Sequence, residues 1–123
     1  MNTISKENAD EITRKSGDLP KKYIVKADTL EKILSEYLPA GQTIDFLTVD
    51  VESHNFDVLK SNNWKKFRPL VVLAESDNHD LDIDQILNSE IVVFMKSQEY
   101  TLTGWVKPTL VFRLKEDSSF ACQ

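Results

Sequence analysis

The stretch Thr43 to Ser53, TIDFLTVDVES, constrains the fold of this chain more than any other. A largely apolar run from Ile44 to Val49 ends abruptly in acid, first Asp50 and then Glu52. A short run rich in Ile, Phe, Leu and Val, with a turn signal on each side, predicts a strand buried on both faces. Carboxylates just past the carboxyl end of such a strand stand where open α/β sheets bind their ligands. The remaining segments read as helices and strands built around it.

The 123 residues suffice for one compact domain and not for two. An apolar content of 41% and a charged content of 28% are those of an ordinary soluble protein. A net charge of -5 argues against a nucleic-acid partner, because phosphate binding needs a basic face. Lys21, Lys22 and Lys26, and then Lys65, Lys66 and Arg68, form no stripe and read as solvated surface. No apolar stretch is long enough to span a membrane, and the polar N-terminus does not resemble a signal peptide. The expected compartment is the cytoplasm, with no membrane association. Cys122 is alone, so no internal disulfide can form, and no base neighbours it in sequence to activate its thiol.

Residues 1–20 predict a short helix, Thr3 to Lys15, with a thin apolar face, and then a turn at Gly17, Asp18 and Pro20. Tyr23 to Ala27 is a candidate strand. Asp28 with Glu31 has the spacing of a capping box, and Leu30, Ile33, Leu34, Tyr37 and Leu38 recur at helical spacing until Pro39 and Gly41. After the Ile44–Val49 strand, Phe56 and Leu59 predict a helix from Asn55 to Asn62, with Ser53 as its cap. Pro69 opens a second buried run, Leu70 to Ala74, closed by Glu75. Two strands joined through a helix make a βαβ unit with parallel strands and a right-handed crossover. Ile83 to Met95 has helical spacing that outweighs a strand reading of Ile91 to Phe94, with a break expected near Asn88 or Ser89. Tyr100 to Val106 and Thr109 to Leu114 alternate as an antiparallel hairpin through Lys107-Pro108. Residues 116–123 read as a loose tail to a domain of residues 21–115.

Asp50, Glu52, His54, Glu75, Asp77 and His79 all fall at or just after the ends of the two central strands. Acids in such places often do no more than cap helices and face water. Three chemical readings compete with that one. A carboxylate can take a proton from a substrate hydroxyl. Asp50, Glu52 and Glu75 could offer oxygen ligands to magnesium or calcium. Zinc through His54 and His79 fits least, because the spacing is not that of a ligand set. No glycine-rich loop follows a strand, which disfavours phosphate chemistry. Trp64 and Trp105 read as packing residues.

The run TLEKILSEYLPAGQTIDFLTVDVESHNFDVLKSNNWKKFRPLVVLAE resembles the FkbM family of S-adenosylmethionine-dependent methyltransferases. That family has an IDFL-x-x-DVEG motif, a following "VL" helix, a "W...RP" turn and a strand ending in Glu. YTLTGWVKPTLVFRL is similar to its final hairpin. The resemblance spans about Tyr23 to Leu114. It implies a Rossmann-like α/β fold with strand order 3-2-1-4-5-7-6 and strand 7 antiparallel. On that template Tyr23 to Ala27 is strand 3, Ile44 to Val49 strand 4, Leu70 to Ala74 strand 5, and the hairpin strands 6 and 7.

The resemblance further implies methyl transfer from S-adenosylmethionine to a hydroxyl on a small-molecule or glycan acceptor. Asp50 and Glu52 match two acids near the methyl-transfer site, with Asp50 also beside the cofactor, and Glu75 matches the acid that ends strand 5. His54, Glu75 and His79 are candidates for contact with the acceptor or a cation, and no resident metal is expected. The family's glycine is Ser53 here. Strands 1 and 2, with the glycine-rich cofactor loop, have no counterpart, so the chain is expected to be the carboxyl-terminal part of a truncated or split enzyme that binds its cofactor weakly or not at all. The alternative is a non-catalytic remnant or interaction module. The edge of Ile44 to Val49 would be bare, leaving either Tyr23 to Ala27 to pair with it, or a second or separate chain.

Overall fold

The computed structural model describes residue 17 and residues 21–116. The expected Thr3–Lys15 helix and most of the tail, with Phe120 and Cys122, lie outside the described residues. In chain order the elements are α1 (Leu30–Tyr37), β1 (Phe46–Val49), α2 (Asn55–Lys60), β2 (Val71–Glu75), α3 (Ile83–Leu87), α4 (Glu90–Ser97), β3 (Tyr100–Val106) and β4 (Thr109–Leu114). They build a mixed α/β structure on one four-stranded sheet of order β1-β2-β4-β3. β1 and β2 are parallel, and β4 runs antiparallel to both of its neighbours.

The pairing register sorts side chains by face, because successive residues of a strand point to opposite sides. Leu47, Val72, Phe112 and Leu102 align across the sheet, as do Val49, Ala74, Leu110 and Trp105. The described helices α2, α3 and α4 pack on that side: Leu59 of α2, Ile86 of α3, and Ile91, Val92 and Met95 of α4 share one core with Val49, Val72, Ala74, Leu110 and Phe112. Trp64 closes it, stacking edge-on against Phe94 and Tyr100 and donating its indole N–H to the Leu59 carbonyl at 2.8 Å. Truncating a buried residue such as Leu59 to alanine costs about 2–5 kcal/mol in such a core.

The opposite face carries Phe46, Thr48, Val71, Leu73, Val111 and Arg113, all exposed or half-buried. This corrects the expectation of a strand buried on both faces. β1 is covered on one face only, and Phe46 is 66% exposed. An apolar run shows that a strand can be buried on both sides, but a second covering layer must be there to do it.

Local chemistry explains most boundaries. The first helix starts one residue later than the Asp28 capping box predicts: Thr29 is the N-cap, its hydroxyl accepting from the Lys32 N–H, while Asp28 binds the Thr29 N–H and pairs with the ammonium of Lys32 at 2.9 Å. α3 opens on a full capping box between Asp82 and Gln85. The expected break falls at Asn88 and Ser89, whose side chains donate to the Asp84 and Ile86 carbonyls. The hairpin has the expected strands and turn, with a cis Lys107-Pro108 bond and a register shift between Leu102 and Gly104. α2 ends at Lys60, short of Asn62.

Tyr23 to Ala27 forms no strand and joins no sheet among the described residues. Tyr23, Ile24 and Val25 are fully or largely exposed. β-Branched composition favours a strand only where a ladder partner and a surface to pack on exist. α1 is likewise amphipathic but has no buried residue, and Tyr37 is 73% exposed.

Candidate functional site

Val49 is registered with Ala74 in the parallel pair. Asp50 follows the first directly and Glu75 follows the second, so the two acids stand side by side at the carboxyl end of β1 and β2. After Asp50 the chain makes a tight turn. Glu52 (φ 38°) and Ser53 (φ 67°) both take left-handed backbone conformations before α2 begins. Such conformations cost non-glycine residues on the order of 1 kcal/mol or more each, and they concentrate at functional sites. The glycine of the resembled motif and the serine here occupy a position that favours glycine on steric grounds.

Among the described residues, Asp50 and Glu52 take part in no ion pair and accept no side-chain hydrogen bond, and both are exposed. Glu75 is half-buried at the end of β2, opposite Thr109. His79 is exposed in the loop after β2.

His54 is the N-cap of α2 by backbone geometry but gives no side-chain cap, and Ser53 does not serve as one either. The His54 ring lies 3.3 Å from Asp57, which also holds the Lys60 ammonium at 3.0 Å. The hydrogen bond from Lys60, and then that from His54, keeps the Asp57 carboxyl below the usual carboxylate range. The sign follows: this exposed pairing favours the fold above the ordinary carboxylate pKa and is lost as pH falls through the lowered one.

The cap of α2 comes from elsewhere. Asp77, in the loop after β2, accepts from the Asn55 N–H (3.1 Å), the Asn55 side-chain amide (2.8 Å) and the Phe56 N–H (3.2 Å). Asn55, buried at 1% exposure, accepts in turn from the Val51 N–H at 3.0 Å. Asp77 is a helix cap, as acids at strand ends often are, but for the helix of the neighbouring strand. The sequence marks Asn55 only as the start of a helix; its burial comes from a loop 22 residues away in sequence.

The structure therefore gathers Asp50, Glu52, Glu75 and Asp77 at one rim. It does not make a cation site of them: among the described residues, no three His, Cys, Asp or Glu side chains come together as metal ligands. His54 and His79 belong to no such group. A crevice of about 420 Å³ is lined by Ala27, Asp28, Thr29, Asp57, Val58 and Ser61, where the start of α1 meets α2.

The sheet is a mixed α/β one whose parallel pair ends in carboxylates, and open α/β sheets bind their ligands outside the carboxyl ends of their strands. The comparison with family models is specific: the methyltransferase FkbM domain model matches residues 1–102, and the chain belongs to that family. Neither curated proteins nor solved structures give a significant match. Among the described residues, no helix is long and apolar enough to cross a membrane.

Proposed function

We propose that this chain carries the acid-bearing part of an FkbM-type methyltransferase that moves a methyl group from S-adenosylmethionine to a hydroxyl acceptor. One observation carries the reading: in a chain of this family, two carboxylates without an ion-pair partner among the described residues, Asp50 and Glu52, sit on a strained turn at the carboxyl end of a parallel strand pair. The strand order supports it too. A sheet ordered 3-2-1-4-5-7-6 ends in 4-5-7-6, and β1-β2-β4-β3 has that order with the corresponding antiparallel strand.

S-adenosylmethionine, when bound, supplies an electrophilic methyl group on a positively charged sulfur. The free carboxylates fit that charge. Asp50 would attract the cationic end, and Glu52 would accept the proton of the acceptor hydroxyl as its oxygen becomes the nucleophile. His54, Glu75 and His79 border the same rim and would contact the acceptor. The fit does not extend to the adenosine, since neither β1 nor β2 is followed by a glycine-rich turn that could cradle it. Without such a turn this chain by itself is expected to bind the cofactor weakly or not at all.

Titrating the labelled chain with S-adenosylmethionine and following amide shifts tests this. Weak binding with shifts confined to residues 50–54 and 75–79 is the expected outcome. Shifts centred elsewhere would remove the site, and micromolar affinity would overturn the expectation of weak binding.

A second reading, an interaction module, is favoured by the outer edge of β1. FLTV carries no charge, proline or bulge to block strand addition. A symmetric antiparallel pairing of two copies centred on Leu47 and Thr48 sets Asp45 opposite Asp50, and like charges opposite one another are destabilising. The edge therefore suits a strand from a different chain better than a second copy. The two readings are compatible, because the added strand could bring the cofactor-holding turn.

A further inference from the structure

We propose that Asp77, acting through Asn55, is a positioning residue for the turn that bears Asp50 and Glu52. The geometry is a relay across three strands. The Ser76 N–H donates to the Pro108 carbonyl at 2.9 Å, which ties the loop after β2 to the hairpin turn. The buried Ser76 hydroxyl donates to the Asn78 carbonyl at 2.8 Å, folding that loop around Asp77. Asp77 then accepts the backbone and side-chain N–H groups of Asn55 and the N–H of Phe56. The remaining polar atom of the Asn55 side chain, its carbonyl oxygen, accepts from the Val51 N–H.

Val51 stands between the two acids. Its amide is the anchored point of a turn whose next two residues, Glu52 and Ser53, hold left-handed backbone that neither prefers. Strained conformations persist only where the surroundings over-determine them, and this hydrogen-bond chain is the surrounding that does so. Asp77 is thereby committed as an acceptor of three N–H groups. Its part is to aim the carboxylates of the other loop.

The catalytic meaning of this arrangement rests on the reading of Asp50 and Glu52 as reaction-site acids. The arrangement itself does not, and the test reads the turn directly. Amide hydrogen exchange at Val51 and the HN–Hα couplings of Glu52 and Ser53 would be measured in the unaltered chain and in Asp77→Ala, Asn55→Ala and Asp82→Ala. The last variant removes a helix cap of the same kind from α3 and serves as control.

Asp77→Ala and Asn55→Ala should each speed Val51 exchange about tenfold relative to amides of β2 and β4, the size expected for losing one buried hydrogen bond. Both should average the Glu52 and Ser53 couplings. Asp82→Ala should do neither, and a chain carrying both Asp77→Ala and Asn55→Ala should be no worse at Val51 than Asn55→Ala alone. Asp77→Asn keeps one acceptor oxygen and should give an intermediate Val51 rate; it carries the test if Asp77→Ala does not fold. Variants at Asp77 that melt earlier but leave Val51 exchange and both couplings unchanged would reduce Asp77 to a helix cap and overturn the proposal. Failure of the chain to bind S-adenosylmethionine would leave these readouts untouched.

Discussion

Ser53 and Tyr100 show how single residues set the stability of this fold. Ser53 holds φ 67° without the freedom of glycine. Ser53→Gly should therefore stabilise the chain by about 1 kcal/mol, and Ser53→Ala should not. Urea unfolding with an unchanged slope and a raised midpoint would show it. Tyr100 is fully buried, and its hydroxyl donates to the Pro69 carbonyl at 2.6 Å. Burial pushes its pKa up from 10.0 to about 12, against a smaller opposing pull from the Arg68 guanidinium. A raised pKa means the folded state keeps its proton longer than the unfolded one. The resulting stability is complete below pH 10 and is lost as pH rises towards about 12. Tyr100→Phe should remove this alkaline loss while costing on the order of 1 kcal/mol at neutral pH for the missing hydrogen bond. Thermal melts across pH 8 to 12 would separate the two effects.

At the scale of elements, the sheet is asymmetric. β2 and β4 each have a neighbour on both sides, whereas β1 and β3 are edges. β3 is long and locally irregular between Leu102 and Gly104, a feature that discourages further pairing. Among the described residues, β1 has no such protection. Placing lysine on its exposed position, Phe46→Lys, should leave stability within about 0.5 kcal/mol, because Phe46 is 66% exposed. The same change should abolish any concentration-dependent association through that edge, read by sedimentation. Association that survives it would assign the contact to another surface, such as exposed Tyr37 on α1 or the Tyr23–Val25 stretch.

For the molecule as a whole, the carboxyl rim bears on which ions and ligands the domain answers to. Four acids gather there, yet Asp77 is spent on α2 and no metal-ligand group of three forms among the described residues. Millimolar calcium or magnesium should therefore not raise the melting temperature beyond a general salt effect, and a marked rise would revive a cation site at Asp50, Glu52 and Glu75. Patterns local in sequence were legible before any coordinates. The hairpin, the parallel pair through a helix, the break at Asn88–Ser89 and the acids past Val49 and Ala74 each follow from periodicity, turn chemistry or capping, which act over a few residues. The IDFL-x-x-DVE motif likewise disclosed the family. What lay beyond that reach depends on partners distant in the chain. Tyr23 to Ala27 has the composition of a strand and joins no ladder although the edge of β1 stands open among the described residues, and the stripe on α1 is only half-covered, at Leu30, Leu34 and Leu38. β1 is apolar enough for two covered faces and has one. Asp77 finds its role only when β1 and β2 lie side by side, since a hydrogen bond across 22 residues of sequence leaves no mark in the spacing of either loop. Local propensities set which elements the chain can form, and long-range packing decided which of them were paired, covered and aimed.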